Sequence, residues 1–359
     1  MFRKKSPDTG PIYLDSASTT KVDPRVFEAM KPYFMELYGN ASSTHRFGKI
    51  AKDAIEKARQ QVADIINGFE DEIIFTSGAT ESINTAIKGY LEANPDNGNH
   101  IITVKTEHKA VLSVCSYLEE KGYEVTYLDV DGNGLISLED LQSAIKPNTS
   151  LISVMYVNNE IGIIQPIEVI GRIAKEKDIA FFCDATQAVG KVSVDVEKDY
   201  IDMLCFSGHK LNGPKGIGAL YKRRGITVTP LIHGGGQENG IRGGTYNTPL
   251  IVGYGKACEL AKAEFKENLK NLENRRIQLE KYFEDQEIGT VNFKTVAKAP
   301  HILSVTLQNF EAEEYLMMKA RELIASTGSA CNAELIESSH VIECFPMLPS
   351  KNVVRISYE

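Results

Sequence analysis

The sequence lacks several features that would place the chain in a special class of protein. It contains no run of the ~18 apolar residues that a membrane-spanning helix needs, and no apolar segment follows the basic residues near its start, as a secretory signal would require. Its six cysteines include no CxxC pair, which suits free thiols in a reducing compartment better than a disulfide framework. We therefore expect a cytoplasmic protein with no membrane attachment.

Positive charge is not in excess either. The formal net charge is −8 at pH 7, which argues against direct binding to nucleic acid or to an anionic membrane. Apolar residues make up 42% and charged residues 25% of the chain, as in ordinary soluble globular proteins. Because 359 residues exceed a usual single domain, we expect one large domain and one smaller domain.

What is present, from about residue 50, is an alternation of helical and strand-like segments. The stretch KIAKDAIEKARQQVADII has apolar residues at helical spacing, as does KAVLSVCSYLEEKG. Seven short runs predict strands: EIIFTS, HIITVKT, EVTYLDV, TSLISVMYV, DIAFFCDA, YIDMLCFS and IGALYKR. This pattern predicts an α/β fold in which helices cover both faces of a mainly parallel sheet.

A smaller α+β domain is predicted at the C-terminal end. The long, charge-rich helical stretch LIVGYGKACELAKAEFKENLKNLENRRIQLEKYFEDQ precedes ILSVTLQNF, a helical EEYLMMKARELIA and a final NVVRISYE. We expect a large domain over residues 16–257, a small domain over residues 258–359, and an N-terminal arm over residues 1–15 that packs with the small domain.

Polar loops follow five of the predicted strands. They read FTSGATES, KTEHKAV, VNNEIG, CDATQAVG and FSGHKLNGPKG. In an open parallel sheet, ligands bind where the carboxyl ends of the strands meet the starts of the helices. The five loops are therefore expected to converge on one crevice.

Two of these loops offer groups that suit a phosphorylated ligand. Lys210 is either an ordinary solvated charge or a desolvated amine that forms a Schiff base, since Ser207 and His209 beside it can bind phosphate. In TSGATES, the backbone amides around Ala79 and Thr80 form either a plain helix start or an anion site. No GK[ST] follows, so this is not a Walker motif.

The other loops carry acid, amide and imidazole groups. Asp184 ends a strand among apolar neighbours, so it needs a cationic partner, either a protonated pyridine nitrogen or a structural arginine. Gln187 can hydrogen-bond a phenolate oxygen on the same ring. His108 is either a capping or core histidine or an acid/base group.

Near the C-terminus, Cys331 lies in the polar stretch ASTGSACNAELIESSH, where an exposed thiolate can act as a nucleophile. Arg355 in VVRIS either binds a carboxylate or forms a surface ion pair. The run DVDGNGLISLED, residues 129–140, matches part of a calcium-loop spacing, but a strand-like segment precedes it and Asp takes the place of the final Glu. We interpret that run as a turn between a strand and a helix, and we expect no metal site.

Taken together and in this order, the motifs resemble those of the cysteine desulfurases, pyridoxal 5′-phosphate enzymes of the aspartate-aminotransferase fold. The likeness runs from IYLDSASTT through GNASSTH, the five loops, HGGGQENGIRGGT and GSAC to VRIS, and so covers nearly the whole chain. It implies a fold-type-I large domain with a seven-stranded, mainly parallel sheet. It also implies the branch of the family with a long mobile loop around its cysteine, here about residues 326–345.

The resemblance assigns roles to individual residues. Lys210 would form the Schiff base, Asp184 would pair with the pyridine nitrogen, and Gln187 would contact the ring hydroxyl. His108 would stack on the ring and take part in proton transfers, and Cys331 would be the nucleophile. Further cofactor contacts are implied for Ala79, Thr80, Asn159, Ser207, His209 and, from the second subunit of a homodimer, Thr245. Arg355, with Asn40 nearby, would bind the substrate carboxylate.

The activity implied is conversion of L-cysteine to L-alanine, with a persulfide left on Cys331 for transfer to a protein acceptor. Iron–sulfur cluster assembly, tRNA thiolation and DNA phosphorothioation all draw on persulfide donors of this kind, and the sequence does not distinguish among them. A related lyase or aminotransferase, such as one acting on selenocysteine, and a non-catalytic binding scaffold are the alternatives. Because relatives usually continue past the VRIS strand with a helix and a tail, we expect a partner protein to cover the small domain.

Overall fold

The structure is a computed structural model that describes residues 10–327 and 339–359. Between residues 10 and 222 the chain forms eight strands and seven α-helices, which alternate strictly only from residue 73 to residue 184. The strands are β1 (Ile12–Tyr13), β2 (Ile73–Thr76), β3 (His100–Val104), β4 (Glu124–Leu128), β5 (Thr149–Ser153), β6 (Ala180–Asp184), β7 (Met203–Ser207) and β8 (Gly218–Lys222). The helices are α1 (Pro24–Met30), α2 (Pro32–Met35), α3 (Arg46–Asp64), α4 (Ala79–Ala93), α5 (Lys109–Glu119), α6 (Leu138–Ala144) and α7 (Ile167–Glu176).

The remainder of the chain begins with two long helices. In order, the elements are α8 (Thr248–Ala263), α9 (Phe265–Asp285), β9 (Gly289–Val291), β10 (Ile302–Leu307), α10 (Ala312–Lys319), β11 (Leu323–Ile324), α11 (His340–Glu343) and β12 (Val353–Ser357). Within the described ranges, no helix is both long and apolar enough to cross a membrane.

The central sheet has seven strands in the order β2-β8-β7-β6-β5-β3-β4. Strand β8 is antiparallel to both neighbours, and the other pairs are parallel. Every residue of β5, β6 and β7 is buried, which explains why these strands are continuous apolar runs rather than alternating ones. The predicted α/β architecture, with a mainly parallel seven-stranded sheet, is confirmed.

Helices cover both faces of this sheet. On one face α3 buries Ala51, Ile55, Ala58 and Val62, which recur at helical spacing and pack in the same core as Tyr254 of α8. On the other face, α4 and α5 pack in a second core. Full burial of one such isoleucine contributes about 1.5–3 kcal/mol, so these two cores hold the sheet and its loops in place.

A second, smaller sheet lies in the C-terminal region. Its order is β12-β10-β9, and all of its pairs are antiparallel. Leu272, Leu279 and Phe283 of α9 pack in the same core as Leu14, which follows β1. Strand β1 also pairs with β11, so the segment before the large sheet contacts the C-terminal region.

The domain division remains a proposal, and the structure suggests one adjustment to it. A boundary after residue 257 falls inside α8, whose Tyr254, Ala257 and Cys258 belong to the large core. We propose Glu264, between α8 and α9, as the boundary instead.

Two local predictions differ from the structure. The segment EEYLMMKARELIA is helical only to Lys319, because Leu323 and Ile324 pair with β1 from the other end of the chain. Within the predicted loop at about 326–345, the described part after residue 338 includes α11, with Val341 and Ile342 buried.

In the turn at 129–140, the Asp131 carboxylate accepts hydrogen bonds from the backbone amides of Asn133 and Leu135.

Candidate functional site

The loops at the carboxyl ends of the strands surround a cavity of about 600 Å³. Residues from all five predicted loops line it, because the parallel strands end at the same edge of the sheet. Of the predicted site residues, Ala79, Thr80, His108, Asn159, Asp184, Gln187, Ser207, His209, Lys210 and Arg355 line the cavity.

One end of the cavity is formed by the start of α4. Gly78 precedes the helix with φ +154°, a conformation that favours glycine, and Gly218 allows close approach because an added Cβ would lie 2.8 Å from Gly78 Cα. Within the described chain, no side chain caps this helix. Its first amides at Ala79 and Thr80 therefore remain available to an anion, and the helix dipole favours one there.

Cationic and neutral donors surround the same end. Lys210 and Lys215 line the cavity, as do Ser207, the last residue of β7, and His209. His209 contacts the Thr19 hydroxyl through Nδ1 at 3.1 Å. Burial, with smaller contributions from the two lysines, lowers the pKa of His209 to about 4, so the imidazole is neutral at pH 7.

Lys210 is held by backbone carbonyls from the loop after β1. Its Nζ donates to Ala17 O at 2.5 Å and to Ser18 O at 2.7 Å. This amine is therefore not simply a solvated surface charge, because it is fixed against one wall of the cavity. A ligand aldehyde would compete with these carbonyls for it.

Asp184 supplies negative charge at the opposite end. It is the last residue of β6, is only 6% exposed, and accepts a hydrogen bond from the Thr186 amide at 2.9 Å. No lysine, arginine or histidine of the described chain forms an ion pair with it. Because an unpaired buried carboxylate is costly, the arrangement favours a cationic ligand group over the alternative of a structural arginine.

Gln187 is oriented by two neighbours. Its Nε2 donates to Ala17 O at 2.8 Å, which leaves Oε1 to accept from Nε2 of His301 at 3.4 Å. His301 was not foreseen as a site residue. It is 2% exposed, and burial together with the charges of Lys191 and Lys210 lowers its pKa well below the ordinary value.

His108 caps α5, as one of the two sequence interpretations held. Its Nδ1 accepts a hydrogen bond from the Ala110 amide at 3.1 Å. In the neutral ring the proton then lies on Nε2. The cap and a role in proton transfer are compatible, because the cap uses only Nδ1.

Arg355 is buried rather than at the surface. It is 4% exposed and donates to the Asp15 carboxylate at 2.7 Å, to the Ser18 hydroxyl at 2.6 Å and to the Asn159 carbonyl at 3.1 Å. A substrate carboxylate at this guanidinium would therefore share it with Asp15. Asn159 therefore holds Arg355 through its backbone carbonyl and also lines the cavity.

Three predicted residues do not line the cavity in the described chain. Asn40 lies in a separate concavity, where its carboxamide oxygen accepts from the Ser42 amide, so one chain does not bring it to the cavity. Thr245 lies in a concavity that shares Ser77 with the main one. Cys331 lies outside the described residues.

Sequence reasoning missed part of the cavity wall. Ala17, Ser18 and Thr19 contact Lys210 or His209, and Glu81 and Lys215 also line the cavity. The stretch DSASTT is small and polar and follows an apolar pair, as the other loops do. That signal could have identified it as a sixth loop.

The groups at the two ends, Lys210 among them, fit pyridoxal 5′-phosphate. The uncapped helix and the lysines suit its phosphate, the unpaired Asp184 suits a protonated ring nitrogen, and Lys210 can reach an aldehyde. An anion without a cationic partner and the uncapped amides of a helix thus face one cavity.

The chain was compared with known proteins. A model of the "Aminotransferase class-V" family matches residues 12–358. The "Cysteine desulfurase IscS" of Methanosarcina thermophila is 49% identical over 92% of this chain and 82% of that protein. A solved "NifS-like protein" superposes with a TM-score of 0.90 at 37% identity, covering 97% of this chain and 93% of that one. A structure described as "SspA in complex with cysteine" gives a TM-score of 0.85 at 40% identity, covering 97% and 98%.

Proposed function

This chain belongs to the class-V aminotransferase family and is a cysteine desulfurase, and we propose that its cavity holds pyridoxal 5′-phosphate with Lys210 at the cofactor aldehyde. The observation that carries this proposal is the buried Asp184 carboxylate, which has no cationic partner in the described chain and faces the cavity that Lys210 lines. L-cysteine is the substrate, in line with the cysteine held by one structural relative.

When bound, the cofactor supplies an electron sink for negative charge that develops on the substrate. Asp184 holds the ring-nitrogen proton in place, and Arg355 binds the substrate carboxylate. Lys210, once released from the Ala17 and Ser18 carbonyls, moves a proton at the substrate Cα. His108 can hold or give a proton at Nε2 because its Nδ1 is occupied by the α5 cap.

Cys331 is proposed as the nucleophile. Its thiolate sulfur would bond to the substrate sulfur while the bond from that sulfur to the substrate Cβ breaks and leaves its electron pair on carbon. Protonation of that carbon gives L-alanine, and Cys331 keeps a persulfide, so L-cysteine plus enzyme thiol balances L-alanine plus enzyme persulfide. The persulfide would then pass to a protein acceptor.

The surroundings of the five cysteines in the described part of the chain support Cys331 as the nucleophile. Burial raises the pKa values of the thiols of Cys115, Cys183, Cys205, Cys258 and Cys344. A thiol with a raised pKa carries little thiolate at neutral pH and is a poor nucleophile. All five are free, which also supports the proposed cytoplasmic location.

We also propose a homodimer. Five large apolar side chains between the start of α1 and the first turn of α3 are 45–70% exposed: Phe27, Phe34, Met35, Tyr38 and Phe47. They lie within one short segment, and exposed apolar surface of this kind marks an interface. In such a dimer Thr245 would reach the partner's phosphate, and sedimentation should show two chains per particle.

Two substitutions test the proposed roles. Cys331→Ala should lose persulfide and alanine formation by about 1000-fold or more while keeping the visible absorbance of the bound cofactor. Cys344→Ala is the matched control and should stay within about twofold of wild type. Alanine formation at the wild-type rate in Cys331→Ala would show that another thiol is the nucleophile.

Lys210→Ala tests the cofactor lysine. This variant should lose both turnover and covalent attachment of the cofactor, because no other amine of the described chain lies between the carbonyls of Ala17 and Ser18. Borohydride reduction followed by peptide mass analysis should find the cofactor on residue 210 in the wild type and on no lysine in the variant. A labelled peptide from elsewhere in the variant would contradict the assignment.

A further inference from the structure

Glu81 places a carboxylate where the cavity is otherwise suited to an anion. It lies in the first turn of α4, lines the cavity, and has a side chain only 8% exposed. Its Oε2 accepts from the Ser77 amide at 2.7 Å. Because water screens charges weakly at such a site, an uncompensated Glu81 would repel a phosphate bound to the neighbouring amides.

Arg242 compensates this charge. Its Nε donates to Glu81 Oε1 at 2.9 Å, and its Nη2 donates to Oε2 at 3.4 Å. Partial burial alone would raise the pKa of Glu81, but the hydrogen bonds from Arg242 and Ser77 hold it below the ordinary value. Glu81 is therefore ionised at neutral pH, and no other cation of the described chain pairs with it.

The segment that carries Arg242 is itself fixed. Glu238, with a side chain 2% exposed, accepts two hydrogen bonds from Arg59 at 2.8 Å each and one from the Phe75 amide at 3.0 Å. Glu238 and Asn239 also adopt left-handed conformations, with φ +48° and +55°. These contacts tie the segment to α3 and β2, so Arg242 is presented to Glu81 by the fold.

We propose that Arg242 is a positioning residue whose guanidinium neutralises Glu81, so that the start of α4 can accept the phosphate of the cofactor. This inference rests on the proposed binding of pyridoxal 5′-phosphate in the cavity. It assigns the ion pair an electrostatic role. If the pair were purely structural, loss of the Arg242 charge and loss of the Glu81 charge would weaken cofactor binding equally.

The two roles predict different patterns in charge-neutral variants. Arg242→Gln leaves Glu81 charged and should weaken binding of pyridoxal 5′-phosphate by about tenfold or more. Glu81→Gln removes the repulsive charge, and its amide oxygen can still accept from Ser77, so affinity should stay within about threefold of wild type. The double variant should bind like Glu81→Gln, which would rescue the defect of Arg242→Gln.

Binding is measured by titrating pyridoxal 5′-phosphate into cofactor-free protein, with inorganic phosphate as competitor, so the result does not depend on turnover. Arg224→Gln is the matched control, because Arg224 forms a similar bidentate pair with Asp71 on the exposed surface. Arg242→Lys keeps the charge and should retain most of the affinity, which preserves the test if Arg242→Gln does not fold.

Three outcomes would overturn the inference: Arg242→Gln binding like wild type, Glu81→Gln losing as much affinity as Arg242→Gln, or a double variant no better than Arg242→Gln. Failure of the wild-type protein to bind pyridoxal 5′-phosphate is a separate result. It would overturn the proposed function itself.

Discussion

At the α4 end of the cavity, attraction for an anion comes from backbone amides and from lysines that line an open wall. At the β6 end, attraction for a cation comes from one buried carboxylate, Asp184, with the neutral His301 behind Gln187. Water can satisfy the amides and lysines of the first end when no ligand is bound, whereas Asp184 is only 6% exposed and has no cationic partner in the described chain. A ligand with a negative group and a positive ring is therefore expected to bind in one direction, and we expect the Asp184 carboxylate to destabilise the ligand-free protein more than the α4 end does.

Among changes at the two ends, the largest effect is expected from removing the charge at the β6 end. Asp184→Asn should lower turnover by about 100-fold or more, because the ring-nitrogen proton loses its partner. The same change should raise the melting temperature of cofactor-free protein by about 2–4 °C, since the uncompensated carboxylate disappears. Steady-state kinetics and thermal unfolding measure these opposite effects.

Glu107 provides an internal check on that variant. Burial and the nearby Asp184 charge raise the pKa of the Glu107 carboxyl well above its ordinary value. Loss of the Asp184 charge should lower the pKa of Glu107, as followed by infrared titration of its carboxyl band. If Asp184→Asn lowered the melting temperature of the cofactor-free protein instead, the Asp184 carboxylate would have a stabilising partner there, and the view that it is uncompensated would be wrong.

A smaller effect is expected from His301, which acts only through Gln187. His301→Ala should lower turnover by about tenfold and shift the visible absorbance of the bound cofactor, because Gln187 loses the donor that fixes its amide. His301→Gln, which keeps a donor, should restore the spectrum.

His100 offers the matched control for this prediction. It is also buried, but it bonds Thr149 and Thr126 in the sheet, whereas His301 bonds Gln187 in the cavity wall. His100→Ala should reduce the melting temperature and leave the spectrum unchanged. Equal spectra for His301→Ala and wild type would show that His301 contributes only to packing and does not act on the cofactor through Gln187.

The smallest effect concerns pH at the open end. The pKa of His209 is lowered from 6.5 to about 4, so the unfolded chain binds its proton more readily than the folded protein does. Its contribution therefore makes cofactor-free protein less stable as pH falls from about 6.5 towards 4. A His209→Gln variant should lose this part of the pH dependence, by about 2–4 °C in melting temperature.

Inorganic phosphate should reduce the same loss in the wild-type protein. An anion beside His209, Lys210 and Lys215 raises the pKa of the imidazole towards its unfolded value. Melting curves at pH 5 and pH 7, with and without phosphate, measure this linkage. An equal pH dependence in wild type and His209→Gln would show that other groups set it.

The fold followed from sequence because its signals are local. Each strand of the central sheet was visible as a short apolar run, and the alternation with helical periods indicated a parallel sheet. The segment at Leu323 and Ile324 was misassigned because its partner, Ile12, lies more than 300 residues away in the chain. Local propensity cannot report a pairing of that kind.

For the site, the sequence by itself determined which residue types follow which strands, and therefore that Lys210, Asp184 and His108 face one crevice. Only the tertiary structure decided how the charged groups of the site are held. Lys210 is held by two carbonyls from the DSASTT stretch, Arg355 by Asp15, and Glu81 by Arg242. The physical reason is that the end of a strand fixes the backbone position of a residue. The hydrogen bonds and ion pairs of its side chain depend instead on groups that distant segments bring within hydrogen-bonding distance.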